Sequence, residues 1–237
     1  MTRECTQDFL LLKKYITDYS INRNLEEDSY LAVAKRIHKA YFSLVNWHAE
    51  YQYQQSFFSE NYCDNDKVIV RLSEVFSDIG SSKFNWLNGS YKASRVMLRS
   101  AIENFVRSIS AIGDRELLKE TSVYSLFEKA GKSEIFTSSE NINNSYKNLH
   151  SKYKELCRDT HTSSSENMEN ITSLIDYPKY DEEKSKSTGA LFVSTAKSIL
   201  VILCLIFNEL FHNMHYKNKE NILEAIPRSI RPLVLVP

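Results

Sequence analysis

Hydrophobic residues recur at spacings of three and four along most of the chain, the pattern of amphipathic helices. The clearest case is residues 90–112, whose apolar stripe consists of Tyr91, Leu98, Ala101, Ile102, Phe105 and Ile109. The same spacing predicts further helices over residues 5–19, 25–58, 68–79, 114–130, 146–157 and 188–216. The pattern predicts an all-α fold.

Glycine, asparagine and proline mark the expected breaks between these helices. We expect turns at Gly80–Ser82 and Asn88–Gly89, and helix ends at Gly113 and Gly131. Three prolines between 227 and 237 predict an extended tail.

Residues 160–187 form a long excursion rich in Ser, Asn, Glu and Lys, with few large apolar side chains. So small a number of apolar side chains cannot offset the entropy cost of ordering the segment. We therefore predict a polar loop, and expect it to be the most mobile internal segment.

These elements indicate one helical domain over residues 1–237. Additional N-terminal helices occupy 1–60, a bundle core of four to five main helices comes from 67–159 and 188–217, and the polar loop spans 160–187. The chain has only 5 Gly and 4 Pro in 237 residues, which disfavours the tight turns of all-β folds.

Charge and cysteine content narrow the classes of function. Lys and Arg number 30, as do Asp and Glu, so the net charge of zero argues against a generally basic nucleic-acid coat. The four cysteines form no C-x-x-C pair and the N-terminus does not resemble a signal peptide, which predicts a reduced, cytoplasmic protein. The apolar run 198–207 is shorter than the ~20 residues that a bilayer requires, so we predict a buried core helix without stable membrane insertion.

Motifs for the common catalytic classes are missing from the sequence. There is no P-loop, no G-x-G-x-x-G, no H-E-x-x-H and no G-x-S-x-G. His212 and His215 share a predicted helix face with Glu209, where a metal could bind, but imidazoles are also favoured at a helix C-terminus. We interpret them in the second way and predict neither a metal nor a cofactor.

A histidine that follows an amphipathic helix gives the strongest candidate chemistry. His161 comes after a helix that carries Lys154 and Arg158. A cation can stabilise the charge that develops on a phosphodiester, and an imidazole can move the proton of an RNA 2′-hydroxyl or of the leaving oxygen. The pattern is also common at helix ends for reasons of the helix dipole.

A charged row runs along the helix predicted at 90–112. Arg95, Arg99, Glu103 and Arg107 are spaced by four residues, so neighbours of opposite charge can form ion pairs. The row is either a solvated face or an internal brace directed towards the segment around His161.

Two segments together resemble a known family. They are Gly89–Asn104, with Gly89-Ser90-Tyr91 and Leu98-Arg99-Ser100-Ala101-Ile102-Glu103, and Tyr153–Thr162, with Leu156-Cys157 and His161-Thr162. The first resembles a recurring helix of bacterial HEPN-like all-α proteins, including abortive-infection and toxin–antitoxin members, and the second resembles the later, His-bearing helix of that group.

The resemblance implies a helical bundle that dimerises across the His-bearing face, and in active members a metal-independent ribonuclease site. His161 matches the family histidine. Arg158, three residues before it, is closer than the family arginine, whereas Lys154 has the family spacing but cannot offer a bidentate fork to phosphate. Arg95, Arg99 and Glu103 would brace the site.

Three functions follow as alternatives. The first is a component of a bacterial defence or toxin system that cleaves or binds RNA. The second is a non-enzymatic scaffold or regulatory subunit that binds a protein partner from the same locus. The third is a membrane-acting effector that uses Ile199–Phe207.

Overall fold

The computed structural model describes residues 21–158 and 177–236, together with the single positions 10, 14 and 173. These residues form helices and no strand. The α-helices are, in chain order, α1 (Asp28–Tyr53), α2 (Gln55–Asn61), α3 (Asp66–Leu87), α4 (Tyr91–Gly113), α5 (Val123–Ala130), α6 (Glu134–Thr137), α7 (Glu140–Cys157), α8 (Glu182–Ile206), α9 (Asn208–Asn213), α10 (Tyr216–Leu223) and α11 (Arg231–Leu235). Short 3-10 turns occupy Ile21–Glu26 and Arg115–Leu118. The predicted all-α class is confirmed.

Side-chain caps fix the starts of three long helices. The Asn65 side chain accepts the Lys67 backbone N–H at 3.0 Å before α3. Ser139 and Asp181 accept backbone N–H groups in the same way before α7 and α8. Such caps satisfy N–H groups that have no partner inside the helix.

Five helices of 18 residues or more make the bundle, namely α1, α3, α4, α7 and α8. α3 and α4 form an antiparallel pair, and α8 packs against α1, α3, α4 and α7. The apolar stripe predicted for α4 is buried throughout. α8 therefore lies at the centre of the bundle.

α8 is the one helix in the described part of the chain that is long and apolar enough to cross a membrane. However, 67% of its most apolar window is buried inside the protein. Ile199–Cys204 are all buried against neighbouring helices. This burial agrees with the predicted core helix and with no stable membrane insertion.

α1 belongs to the core and is not an addition to it, in contrast to the predicted division at residue 60. Trp47, Tyr51 and Tyr30 are at most 1% exposed. Tyr30 stacks on Trp86 of α3 with ring centroids 4.9 Å apart. The N-terminal prediction for residues 5–19 lies outside the described residues, except at positions 10 and 14.

The turn predicted at Gly80–Ser82 is wrong, because α3 continues through it. Gly80 packs against the Tyr41 ring, and the buried Ser82 hydroxyl lies 3.0 Å from that of Ser94 in α4. Close approach of two helices, and not a turn, explains these small residues. The turn at Gly89 is confirmed: its φ is 74°, and a Cβ there would approach the Lys179 carbonyl oxygen to 2.5 Å.

Several boundaries also differ from the prediction. Residues 182–187 belong to α8, not to a loop, because Asp181 caps that helix. The helix predicted over 188–216 is three helices, with breaks at Phe207 and at Met214–His215. The tail is not wholly extended, since Pro232 is tolerated in the first turn of α11. Of the rest of the predicted mobile loop, residues 160–172 and 174–176 lie outside the described residues.

Candidate functional site

The interface between α4 and α7 holds a chain of polar side chains that connects the two helices. Arg99 of α4 donates from Nη2 to the Tyr153 hydroxyl of α7 at 2.9 Å, and from Nε to the Cys157 sulfur at 3.4 Å. Its guanidinium carbon lies 5.1 Å from the Tyr153 ring centroid. Arg99 therefore contacts the last turn of α7 at two positions.

Glu103 continues this chain along α4. Its Oε2 accepts from the Tyr153 hydroxyl at 3.4 Å, and its Oε1 accepts from Arg107 Nη2 at 3.2 Å. The Tyr153 hydroxyl thus accepts from one charged residue and donates to another. We call Arg99, Glu103, Arg107, Tyr153 and Cys157 the α4–α7 polar cluster.

Arg107 is the most buried charge of the cluster, with 6% of the residue exposed. Besides Glu103 it donates from Nη1 to the carbonyl oxygens of Leu117 at 3.1 Å and Glu120 at 2.5 Å. These bonds hold the segment between α4 and α5 in place. They also offset the cost of burying the guanidinium charge, which would be high without hydrogen-bond partners.

Three of the four residues in the predicted charged row thus lie inside an interface and not on a solvated face. The Glu103–Arg107 ion pair is present. The connection from Arg99 to Glu103 runs through Tyr153. Arg95 lies one helical turn before Arg99 and is half-buried.

The structure describes only part of the predicted site at the end of α7. Lys154 and Arg158 are exposed, and Arg158 is the C-terminal cap of α7. His161 lies outside the described residues, so its assigned role remains a prediction. The structure therefore positions the helix that leads to the candidate site, with two exposed cations on its last turns.

Tyr153 and Cys157 belong to the segment that resembles the family, but the sequence analysis gave neither side chain a role in bonding to α4. Burial raises the pKa of the Tyr153 phenol, and Arg99 beside it acts in the opposite direction. The phenol stays protonated at neutral pH and can donate to Glu103. The spacing of four between Tyr153 and Cys157 was the available signal, because it places both on the face directed towards α4.

His150 is the one histidine of α7, and the sequence analysis did not single it out. It lies one turn before Lys154, so that His150, Lys154 and Arg158 form a row at spacings of four. Its ring stacks on Phe127 with centroids 4.8 Å apart. Burial lowers the pKa of His150, and Lys154 adds to the effect, so the imidazole is neutral at pH 7.

The predicted His212–His215 face does not form as one helix face. α9 ends at Asn213, and His215 caps α10, its backbone N–H donating to Glu50 Oε1 at 3.1 Å. Within the described residues no group of three His, Cys, Asp or Glu side chains could hold a metal ion.

Comparison with known proteins adds no relative. No family model matches the chain, and neither a curated protein nor a solved structure matches it significantly. What is established is an all-α bundle with a bonded polar cluster between α4 and α7.

Proposed function

We propose that the protein is a HEPN-like ribonuclease of a bacterial defence or toxin system, which cleaves RNA without a metal at the C-terminal end of α7. His161 acts as the general acid and base, and Lys154 or Arg158 stabilises the phosphate. The observation that supports the proposal is the double contact of Arg99 with Tyr153 and Cys157, which fixes the end of α7 that carries Lys154 and Arg158. We expect a cytoplasmic homodimer.

The chemistry needs no group beyond this chain and the RNA. The imidazole removes the proton of the 2′-hydroxyl, the 2′-oxygen attacks phosphorus, and the bond to the 5′-oxygen breaks after protonation. The products are a 2′,3′-cyclic phosphate and a 5′-hydroxyl. A fixed cation beside the phosphate stabilises the charge that develops in the transition state.

Arg99 and Glu103 are positioning residues in this proposal, with Arg95 adjoining them. They act through Tyr153 and Cys157 and do not touch the phosphate. A half-buried charged chain of this kind is costly to break, because any member that is removed leaves a charge or a hydroxyl without its partner. The orientation of the end of α7 is therefore well defined.

A second function, a regulatory subunit for a protein partner, is favoured by a different observation. Leu233, Leu235 and Val236 at the C-terminal helix are 50%, 52% and 64% exposed. Neighbouring exposed apolar side chains are typical of protein contact sites.

The deciding experiment is cleavage of a labelled single-stranded RNA in EDTA. We expect His161→Ala to lower the rate by roughly 10²–10⁴, the usual contribution of general acid–base catalysis. His150→Ala, which removes the histidine of α7 itself, is the control and should retain most of the activity. Unchanged cleavage by His161→Ala, loss of activity only in His150→Ala, or a requirement for Mg²⁺ would exclude this site. No cleavage by the wild type, together with a stable protein complex, would favour the regulatory subunit.

A further inference from the structure

A concave surface lies between α1 and α10, on helices that do not contribute to the α4–α7 polar cluster. Its volume is about 240 Å³. The lining residues are Lys35, His38, Lys39, Phe42, Ser43, Asn221 and Glu224. We call it the α1–α10 groove.

An exposed aromatic ring stands in this groove. Phe42 is 45% exposed, whereas Tyr30, Trp47 and Tyr51 of the same helix are buried. His38, one turn earlier on the same face, lies with its ring centroid 6.1 Å from that of Phe42. Lys83 of α3 donates from Nζ to His38 Nδ1 at 2.9 Å, so the neutral imidazole carries its proton on Nε2. The two rings, tilted by 31° to each other, offer aromatic surface beside a hydrogen-bond donor.

Positive charge surrounds this surface. Lys35 and Lys39 line it, Lys83 borders it through His38, and Arg228 and Arg231 lie close enough to Glu224 to help lower the pKa of its carboxyl. Lys39, which lowers that pKa most, lies 2.5 Å from Glu224. Among the described residues that line the groove, Glu224 is the one carboxylate. Because the whole chain has zero net charge, this excess of cations is a local feature.

The charges around the α1–α10 groove help to identify the kind of molecule that binds there. A second copy packed through α1 would bring few acidic groups to these cations, because α1 carries only Asp28 at its start and Glu50, which is buried and bonded to Asn218. A single-stranded nucleic acid supplies both complementary parts, phosphates for the lysines and flat bases for the ring.

We propose that the α1–α10 groove binds single-stranded RNA, with a base stacked on Phe42 beside His38 and the flanking phosphates at Lys35, Lys39 and Lys83. The inference extends the proposed function, on which it rests for the choice of RNA, by adding a binding surface remote in sequence from His161. Glu224 opposes this binding, both through its own charge and by occupying Lys39.

The test is fluorescence anisotropy with a labelled 2′-O-methyl RNA 12-mer, which lacks the hydroxyl that cleavage requires. Phe42→Ala should weaken binding by roughly 5- to 150-fold, the usual loss of one base–aromatic stack, whereas Phe42→Trp should retain it. Tyr124→Ala is the matched control, since Tyr124 is 81% exposed on α5, and should bind like the wild type.

Charge variants test the rest of the proposal. The double variant Lys35→Ala, Lys83→Ala should reduce the slope of log affinity against log salt by about 1.4, because each phosphate contact of a single strand contributes about 0.7, while Lys67→Ala should leave the slope unchanged. Glu224→Gln should tighten binding, a gain that damage to the fold cannot imitate.

The inference is overturned if the wild type does not bind the 12-mer in low salt, or if Phe42→Ala binds it as tightly as the wild type. It is also overturned if Glu224→Gln does not tighten binding. Displacement of the RNA by poly-glutamate at equal charge would overturn it as well, and would indicate an acidic protein partner. Binding that depends on Phe42, without cleavage of the unmodified RNA, would support the groove and contradict the ribonuclease.

Discussion

Two buried regions of this bundle differ in whether their polar atoms have hydrogen-bond partners among the described residues. In the α4–α7 polar cluster every step from Arg99 to Arg107 is a hydrogen bond between described residues. In the aromatic core around α1, the Trp47 Nε1, His48 Nε2 and Tyr51 hydroxyl are buried without a hydrogen-bond partner in the described part of the chain.

The difference separates two sources of stability. The aromatic core is held by ring packing: Trp47 stacks on Tyr51 and Phe76 at 5.5 and 5.8 Å, and Phe58 meets Tyr51 edge-on at 4.9 Å. The polar cluster is held by bonds whose geometry is specific, so it fixes the relative positions of two helices. Substitutions that remove only polar atoms should therefore affect the two regions differently.

The largest effect is expected at Arg107. Arg107→Ala leaves Glu103 and the carbonyl oxygens of Leu117 and Glu120 without their donor in a buried site, and should lower the free energy of unfolding by roughly 3–5 kcal/mol. Urea denaturation measures it. Lys119→Ala breaks the Glu116 pair, whose side chains are 75% and 77% exposed, and should cost about 0.5 kcal/mol or less. Equal losses in both variants would contradict the structural role of Arg107.

Removing one hydroxyl from each region gives the sharpest contrast. Tyr153→Phe breaks the bonds to Arg99 and Glu103 and should cost about 1–3 kcal/mol in the free energy of unfolding. Tyr51→Phe removes a buried hydroxyl that has no partner among the described residues, and should be neutral or stabilising. The same urea series measures both variants, and a cost for Tyr51→Phe as large as that for Tyr153→Phe would erase the distinction between the regions.

A smaller effect concerns pH. Burial lowers the pKa of His48, whose ring stacks on Phe76 at 4.4 Å. The folded state therefore binds this proton less readily than the unfolded chain, and stability falls as the pH drops below the ordinary histidine value of about 6.5, by at most ~1.4 kcal/mol per pH unit.

His48→Phe should flatten this acid dependence, as measured by urea midpoints between pH 7 and pH 5. His215→Gln, at an exposed position, is the control and should leave the dependence as it is in the wild type. A steeper loss of stability in His48→Phe would contradict a buried, neutral His48.

The fold could be predicted from the sequence where burial and periodicity agree. The stripe from Tyr91 to Ile109 and the turn at Gly89 are examples, since both depend on local patterns. The continuous α3 could not be predicted, because Gly80 and Ser82 are small for a reason that lies in other helices: contact with Tyr41 and Ser94. Rules based on the local sequence interpret small residues such as Gly and Ser as turn signals.

The polar cluster was predictable only in its α4 half. The spacing of Arg99, Glu103 and Arg107 indicated ion pairs along one helix. Tyr153 completes this series of hydrogen bonds only because α7 packs against α4. No local sequence pattern indicates that packing. The α1–α10 groove is harder still, because it depends on how α10 packs beside α1.

The central claim is that Arg99 positions the end of α7 for RNA cleavage, and single-turnover cleavage by a double-mutant cycle tests it most directly. Arg99→Gln and Tyr153→Phe each break the same bond, so we expect each to slow cleavage by about tenfold and the double variant to be little slower than the worse single variant. Rates that multiply in the double variant, or that match the wild type in both single variants, would contradict the claim.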